Sequence, residues 1–329
     1  YSRVLIARES PLQKTKDWLN PNQAHNDVPL SDWMKGLGLN DRAIKLGYGM
    51  NVSFGDNAQD VSALLMFFRA AFSLDQRKQA SKGVVGFTAL NGVQRIPEAM
   101  AENLYNEVHY GKVVTNIDDS GEQAEVLCTD GTIYKTPQII CSLPFGVLRN
   151  IKINPTLTGL QQEAVKKLPS QPVTQLYFAH RSDFWEADGL KPSMFTDGVA
   201  GMLAAARNGE DPTKVTSFTA WAMGPNAARL DSLPPKQAAD LVIQEIEAVR
   251  PAARGQLEFL GLQSWGNDPF AQGGWAYFRP GQITSFGATM GAPHGRILFC
   301  GEHLGLANRG MEGAMESGTR IAEEIVTAV

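Results

Sequence analysis

The feature that most restricts the fold is a mainly apolar segment that runs through a glycine-rich turn into a long periodic segment near the C-terminal end. The apolar segment covers 296–300, the turn begins at Gly301, and the periodic segment begins at about Met311. This pattern predicts a buried strand, a loop and a helix. The first turn of such a helix carries free backbone N–H groups and the positive end of the helix dipole, which suit an electron-rich ligand edge.

Small residues at the start of this helix leave room for a close neighbour. Gly310 and Gly313 carry no side chain, so a flat ring could approach the backbone there. Ala314 and Gly318 would let the helix pack closely on another element. These residues alone favour a ligand site and a tightly packed terminal helix about equally.

Length and composition indicate an ordinary globular protein. The 329 residues correspond to about two domains, at roughly 150 residues each. The balance of 30 basic and 34 acidic residues gives a net charge of −4 and no sign of nucleic-acid binding. Cys128, Cys141 and Cys300 lie far apart, which favours free, buried side chains over disulfides, and no cluster indicates a metal site. The longest apolar run, 63–68, is too short to span a bilayer. We therefore expect a soluble protein, with the cytoplasm favoured and a periplasmic or secreted location as alternatives.

Helical and strand-rich stretches alternate along the chain. The first 83 residues are predicted to be mainly helical, with a buried helix at 61–72. Short strands are predicted to follow, from Val108–Tyr110 to Ile139–Cys141, with Asp130–Gly131 as a hairpin turn. Residues 155–282 mix strands and helices, so a mixed α/β fold is expected.

Four ordered groups of residues resemble the flavin-containing amine oxidases, a family that includes monoamine oxidases, L-amino-acid oxidases and polyamine oxidases. Together they cover residues 84–329. The groups are Ile140–Pro144 with Ile153–Pro155, Asp183–Trp185 after the Gln175 strand, Trp265–Asp268 with Gly273–Gly281, and Gly301–Glu302 with Met311–Gly318.

The resemblance implies a two-domain α/β fold. It places an incomplete, Rossmann-like FAD-binding domain at 84–153 and 283–329, and a substrate-binding domain with a mixed sheet and helices at 1–83 and 154–282. The family's phosphate-binding G-x-G-x-x-G turn has no counterpart after any predicted strand. We therefore expect a second polypeptide to carry that turn, as a separate subunit or a proteolytic fragment, in a hetero-oligomer.

The resemblance also implies contacts with the cofactor. Val114 lies in a strand that meets the adenine in the family, although a plain sheet valine would look the same. Gly274 stands where some members attach the flavin through cysteine, so noncovalent FAD is implied. The implied cofactor-binding residues are Val114, Trp265, Gly301, Glu302, Met311 and Glu312.

Four residues fall at positions close to the reaction in the family. Trp275 matches one wall of an aromatic cage that frames the amine, and Gly310 replaces the aromatic residue of the other wall. The pocket is therefore expected to be wider on that side, or to be filled by Arg309, which is also a candidate anchor for a substrate carboxylate. Gln175 replaces a lysine that holds a water near the flavin, which puts rapid reaction with oxygen in doubt. His303 adjoins the flavin signature and could touch cofactor or substrate.

The function implied is FAD-dependent oxidation of the carbon–nitrogen bond of an amine or L-amino acid. The product is an imine that hydrolyses to a carbonyl compound, and oxygen reoxidises the flavin to give hydrogen peroxide. The alternatives are an amine dehydrogenase or amino-acid monooxygenase that uses the same site, and a noncatalytic subunit that has kept the fold.

Overall fold

The N-terminal quarter of the protein is helical in the computed structural model, which describes residues 2–12, 14–50, 52–83 and 89–328. The apolar run 63–68 is buried, and it forms the first turns of a helix that continues to Ser81, well beyond the predicted end at 72. Phe68 stacks on Trp18 with ring centroids 4.8 Å apart. The helices here and in the following stretch are α1 (Ser2–Glu9), α2 (Leu30–Gly36), α3 (Asp41–Ile44), α4 (Ala63–Ser81) and α5 (Arg95–Glu102).

A small four-stranded sheet follows. The hairpin predicted at Asp130–Gly131 is confirmed, because the strands on either side of it pair antiparallel. The strand predicted at Val108–Tyr110 is wrong: this segment is irregular and Tyr110 is 80% exposed, so no apolar face is buried there. The elements are β1 (Val114–Asp118), β2 (Ala124–Cys128), β3 (Ile133–Thr136), β4 (Ile139–Cys141), α6 (Phe145–Leu148) and β5 (Lys152–Asn154). The sheet order is β3-β2-β1-β5, with β5 parallel to β1.

A five-stranded antiparallel sheet with helices packed on it fills residues 159–264. Its β-strands bury alternate residues, as in the regular alternation of Ser217–Met223. The elements are α7 (Gly159–Lys167), β6 (Val173–His180), α8 (Phe184–Asp188), β7 (Met194–Phe195), β8 (Met202–Ala206), β9 (Ser217–Met223), α9 (Pro225–Asp231), α10 (Pro235–Val249) and β10 (Leu257–Ser264). The sheet order is β10-β6-β9-β8-β7.

The predicted C-terminal strand, loop and helix are confirmed as β11 (Ile297–Phe299) and α11 (Gly310–Ala328). β11 pairs in parallel with β4, so the carboxyl ends of both strands meet at one edge. Ile321 packs on Leu298 and Cys300, whereas Met311 and Met315 are 57% and 45% exposed. The face of α11 near its first turns is therefore open.

Two buried apolar clusters hold the chain together. One joins the N-terminal helices to strands of the first sheet and to β11, through residues such as Phe67, Ile153 and Phe299. The other lies between the five-stranded sheet and α8–α10. The first cluster contains residues of both predicted domains. The domain boundaries at 154 and 283 stay predictions, and the boundary at 84 lies outside the described residues.

Two further expectations concern the whole chain. The three cysteines are free and buried, as predicted. Within the described ranges, no helix combines the length and apolar character that crossing a bilayer requires. The compartment stays a prediction.

Candidate active site

A cavity of about 590 Å³ lies at the carboxyl ends of β4 and β11 and opens against the first turn of α11. Its size falls within the roughly 300–1,000 Å³ that is usual for small-molecule sites. Open α/β sheets bind ligands at this edge, because loops diverge there and helix N-termini point into the crevice. The lining includes Ser142, Phe145, Trp265, Trp275, Glu302 and Met311.

The loop before α11 is held by a carboxylate from the helix itself. The side chain of Glu316 accepts hydrogen bonds from the backbone N–H groups of Leu306, Ala307 and Asn308 at 2.9–3.1 Å. Gly313 is required by the same turn, since a Cβ there would lie 2.7 Å from the carbonyl oxygen of Asn308. Gly310 has a φ of +65°, and no atom of the described residues lies within 4 Å of the position that a Cβ would take there. The predicted widening at Gly310 therefore corresponds to open space.

An ion pair crosses the cavity wall. The Arg309 guanidinium Nη2 lies 2.9 Å from Glu302 Oε1 and donates to the carbonyl oxygen of Ala276 at 2.6 Å. Glu302 also accepts from the backbone N–H of Ala276 at 3.4 Å. Arg309 is 7% exposed, and its Nη1 is buried with no hydrogen-bond partner among the residues that the structure describes. The side chain thus ties the loop to the irregular segment that contains Trp275 and Ala276, rather than filling the space beside Gly310.

His303 is a buried neutral base next to this pair. It is 4% exposed, and its ring meets Phe145 at a centroid distance of 4.4 Å. Burial, reinforced by the positive charge of Arg309, lowers the pKa of His303 to about 3. Its Nε2 is buried and has no hydrogen-bond partner in the described part of the chain. The imidazole is therefore uncharged at neutral pH. It lines the cavity and does not act as an acid there.

Trp275 is fixed on the opposite wall. Its indole N–H donates to the carbonyl oxygen of Ser53 at 3.1 Å, and its ring meets Phe54 edge-on at 6.4 Å. The Tyr48 hydroxyl donates to the Phe54 carbonyl at 2.7 Å and accepts from its N–H at 3.1 Å, which locks the turn. Burial raises the pKa of Tyr48, so the hydroxyl stays protonated. The tryptophan therefore has a single orientation.

Trp265 connects the cavity to the five-stranded sheet. Its indole N–H donates to Gln175 Oε1 at 2.7 Å, and the Tyr177 hydroxyl donates to the same oxygen at 3.3 Å. Gln175 is 8% exposed and lies behind Trp265 rather than among the residues that line the cavity. The amide oxygen thus orients the indole by accepting a hydrogen bond from its N–H.

The structure gathers most of the predicted site residues around one cavity. The predicted residues that line it are Trp265, Trp275, Gly301, Glu302, Arg309, Gly310 and Met311. Three others lie outside its lining: Gln175, Val114 in β1, and Glu312, which is exposed on α11. The roles assigned to all of them stay predictions.

Among the lining residues that sequence reasoning missed, Phe54 and Arg69 lie farthest away along the chain. Both come from the N-terminal quarter, far in sequence from the glycine-rich motif. Arg69 lies directly after the apolar run 63–68. A charged residue at that position in a predicted buried helix was the sequence signal that could have identified it as a cavity residue. Its guanidinium carbon lies 5.4 Å from the ring centroid of Phe54.

The cavity residues fit a flavin. The first-turn N–H groups of α11 suit the electron-rich edge of its ring, the tryptophans supply flat apolar walls, and Glu302 could accept a hydroxyl hydrogen bond. Gly274 packs against Val173 so closely that a Cβ would lie 2.8 Å from Val173 Cγ2, which leaves the backbone itself at the wall. Within the described part of the chain, no group of three or more metal-ligating side chains comes together.

Fold and site together define an α/β protein with a ligand-sized cavity at the carboxyl ends of two parallel strands. The family model of the flavin-containing amine oxidoreductases matches residues 7–326, so the chain belongs to that family. The chain is 27% identical over 245 residues to a flavin-containing amine oxidase from Danio rerio, a match that covers 72% of this chain and 46% of the relative. It is 24% identical over 251 residues to an L-amino-acid oxidase from Gloydius halys, with 72% and 48% covered. The chain thus spans about half the length of the curated relatives it matches.

Solved structures confirm the predicted fold class. Putrescine oxidase bound to putrescine superposes with a TM-score of 0.80 at 20% identity, over 99% of this chain and 73% of that one. Cyclohexylamine oxidase from Brevibacterium oxydans gives a TM-score of 0.74 at 17% identity, over 98% and 73%. The chain therefore has the fold of the flavin amine oxidases.

Proposed function

We propose that the protein oxidises the carbon–nitrogen bond of an amine or L-amino acid, with noncovalent FAD as its cofactor. The substrate loses two electrons and two protons and becomes an imine, which water hydrolyses to a carbonyl compound and ammonia or an amine. FAD supplies the acceptor for the two electrons. Oxygen then receives these electrons with two protons and is reduced to hydrogen peroxide. Membership of the family supports the flavin and the class of reaction.

One observation carries this proposal: a cavity that has the N-terminus of α11 on one side and the fixed indole of Trp275 on another. A flat ring needs this combination of N–H donors and apolar walls. Met311 and Gly301 would hold the ring and its chain through the backbone, and Glu302 would accept from a hydroxyl. Among the described lining residues, none is suited to act as a base at neutral pH. His303 is neutral but its Nε2 is buried, and Glu302 is paired with Arg309. The amine would therefore bind as the neutral form.

Trp275 would hold the substrate nitrogen in place. Its ring orientation is set by Ser53 and Phe54, so the amine meets a rigid apolar face that excludes water. Trp265, oriented by Gln175, would complete the wall next to the ring. Val114 stays a candidate contact of the adenine, and Glu312 stays a candidate contact of the pyrimidine edge of the flavin through its backbone N–H.

An open apolar face beside the cavity supports a further part of the proposal. Ile140 of β4 and Met311 of α11 are 50% and 57% exposed. FAD needs a phosphate-binding glycine turn, and these 329 residues contain no G-x-G-x-x-G. A polypeptide segment with this turn would cover the apolar face. The proposal places that segment on a second chain. Native mass spectrometry of the flavin-loaded protein would show a second chain, and a flavin-loaded monomer would contradict the hetero-oligomer.

The experiment that tests the reaction is anaerobic reduction of the flavin. The purified protein is saturated with FAD and mixed with a panel of primary amines, secondary amines and L-amino acids, while the visible flavin absorbance is followed. We expect bleaching by at least one class, and a stoichiometric yield of hydrogen peroxide when air is admitted. Product without peroxide would identify a dehydrogenase or a monooxygenase. A flavin that no amine or amino acid bleaches would identify a noncatalytic subunit.

A further inference from the structure

A second cleft lies beside the candidate active-site cavity and has a basic lining. Its volume is about 510 Å³, and Gly146, Pro169 and Ser170 line both spaces. Among the described residues that line the cleft, none is acidic. Its cationic residues are Arg149, Lys166, Lys167 and Arg279.

Two of these four cations are paired with acids. The Nζ of Lys167 lies 2.6 Å from Glu163 Oε1, and the Nε of Arg279 lies 2.8 Å from Asp60 Oδ1. Neither acid lines the cleft. Half of the positive charge on the cleft wall is therefore neutralised from behind.

The other two cations have no acidic partner among the described residues. Arg149 donates through Nη2 to the carbonyl oxygen of Leu168 at 2.9 Å, and through Nε to that of Phe145 at 3.4 Å. A carbonyl oxygen orients a guanidinium without bringing a full negative charge. Lys166 is exposed in the last turn of α7, and no ion pair joins its ammonium to a described residue.

The dipole of α7 offsets only part of this excess. The C-terminal end of a helix carries about −0.5 elementary charge, and Lys166 and Lys167 both lie in the last turn of α7. The two unpaired cations bring two positive charges, so roughly +1.5 remains on the cleft wall. A concave surface with a charge of one sign concentrates ligands of the opposite sign.

The cations are held on a fixed frame. The Gln282 side chain donates to the Lys167 carbonyl at 3.1 Å and accepts from the backbone N–H of Arg279 at 2.9 Å, so it joins the end of α7 to the segment of Arg279. Arg149 directly follows α6 and joins it to the same end of α7 through Leu168. The three elements that supply the cations are thus connected before a ligand binds, which lowers the entropic cost of binding.

We propose that this basic cleft binds a phosphorylated small molecule, at a site separate from the cavity that would hold the flavin ring and the amine. A phosphate monoester carries about −1.5 to −2 charge at pH 7, which matches the excess on the cleft wall better than a carboxylate does. Its oxygens can accept from Arg149 and Lys166 together. A volume of about 510 Å³ also leaves room for the organic part of the molecule. The pyrophosphate of FAD has related chemistry, so the test separates the two sources.

The test is a calorimetric titration of phenyl phosphate into the protein saturated with FAD, at low ionic strength. We expect saturable binding with a Kd below about 1 mM, and an affinity about 10-fold lower in Arg149→Met and in Lys166→Met. Arg149→Lys keeps the charge and should keep part of the affinity. Lys152→Met removes the same charge from an exposed residue of β5 outside the cleft, so this matched control should bind as wild type does. Benzoate, which carries a single charge, should bind more weakly than phenyl phosphate.

A second measurement locates the ligand without a substitution. The wild-type protein is acetylated by a limiting amount of reagent, with and without phenyl phosphate, and the modified lysines are quantified by mass spectrometry. We expect the ligand to slow the acetylation of Lys166 and to leave that of Lys152 unchanged.

Three results would overturn the proposal. Binding that occurs in the flavin-free protein and is abolished by FAD would assign the anion to the cofactor site. Binding that survives both Arg149→Met and Lys166→Met, or unchanged acetylation of Lys166, would place the anion elsewhere. Benzoate binding as tight as that of phenyl phosphate would contradict the choice of a phosphate. None of these measurements depends on turnover, so they are independent of the proposed reaction.

Discussion

The Arg309 guanidinium and the Glu302 carboxylate form an ion pair of 2.9 Å whose side chains are 5% and 21% exposed. The two residues flank the loop between β11 and α11, so the pair closes that loop on itself. It also joins the loop to Ala276, because Ala276 donates its N–H to Glu302 and accepts from Arg309. The ion pair thus connects the loop to the Ala276 segment of the cavity wall, and its guanidinium is the more deeply buried partner.

Removing the negative member of this pair should destabilise the protein. Glu302→Gln leaves the buried guanidinium without its counter-charge, and we expect the free energy of unfolding in urea to fall by about 2–4 kcal/mol. Glu312→Gln is the control, since Glu312 is exposed on α11, and its effect should stay within about 0.5 kcal/mol. The loss should be present with and without added FAD. Equal stabilities of the two variants would show that the pair contributes nothing to the fold.

The hydrogen bond from Trp265 to Gln175 should appear as a coupling energy. Trp265→Phe and Gln175→Leu each remove one end of the 2.7 Å contact, and the double variant removes both. A bond between neutral buried groups contributes about 1 kcal/mol, so the double variant should be about 1 kcal/mol more stable than the sum of the single effects predicts. The longer contact from Tyr177 to the same oxygen should give a smaller coupling in a Tyr177→Phe cycle. Strict additivity in the first cycle would contradict the assigned orientation of the indole.

Periodicity and turn chemistry were enough to predict much of the fold. The strand–glycine–helix pattern at 296–318 predicted β11 and α11, because apolar continuity, loop glycines and a helical stripe agree there. The strand predicted at Val108–Tyr110 failed for the opposite reason. Its β-branched and aromatic residues have strand propensity, but among the described residues no partner strand or core covers them, and propensity without burial does not decide a strand.

The site was predictable where its residues belong to recognisable sequence motifs, as Trp265 and Trp275 also do. Gly301, Glu302 and Met311 belong to one motif and do lie together at the cavity. Phe54 and Arg69 reach the same cavity from the far end of the chain, through tertiary packing that no local pattern encodes. The pairing of Arg309 with Glu302 likewise depends on the conformation of the loop. Arg309 was one candidate to fill the space beside Gly310, but in the structure it pairs with Glu302 on the cavity wall.

His303 should make stability depend on pH in the acid range. Its pKa is about 3 in the folded protein, below that of an exposed histidine, so the unfolded chain binds more protons between about pH 6.5 and 3. The stability associated with the neutral ring is therefore fully present above about pH 6.5 and is lost as the pH falls. We expect wild type to lose as much as about 3 kcal/mol more than His303→Gln between about pH 7 and 4. Urea titrations at both pH values provide the measurement, and parallel losses in the two proteins would contradict a buried neutral imidazole.

Two glycines of α11 should respond in opposite directions to the same substitution. At Gly313 an added Cβ would lie 2.7 Å from the Asn308 carbonyl oxygen, so Gly313→Ala must push the loop away from the helix. We expect a loss of about 1–3 kcal/mol in the free energy of unfolding, together with weaker FAD binding. At Gly318 no described residue outside the helix backbone lies within 4 Å of the added Cβ, and Gly318→Ala should stabilise the helix by about 0.5–1 kcal/mol. Thermal unfolding of both variants, with FAD affinity from flavin fluorescence, separates the outcomes. Were Gly313→Ala as stable as wild type, the close approach of helix and loop that shapes the cavity would be refuted, whereas Gly318→Ala reports on helix propensity alone.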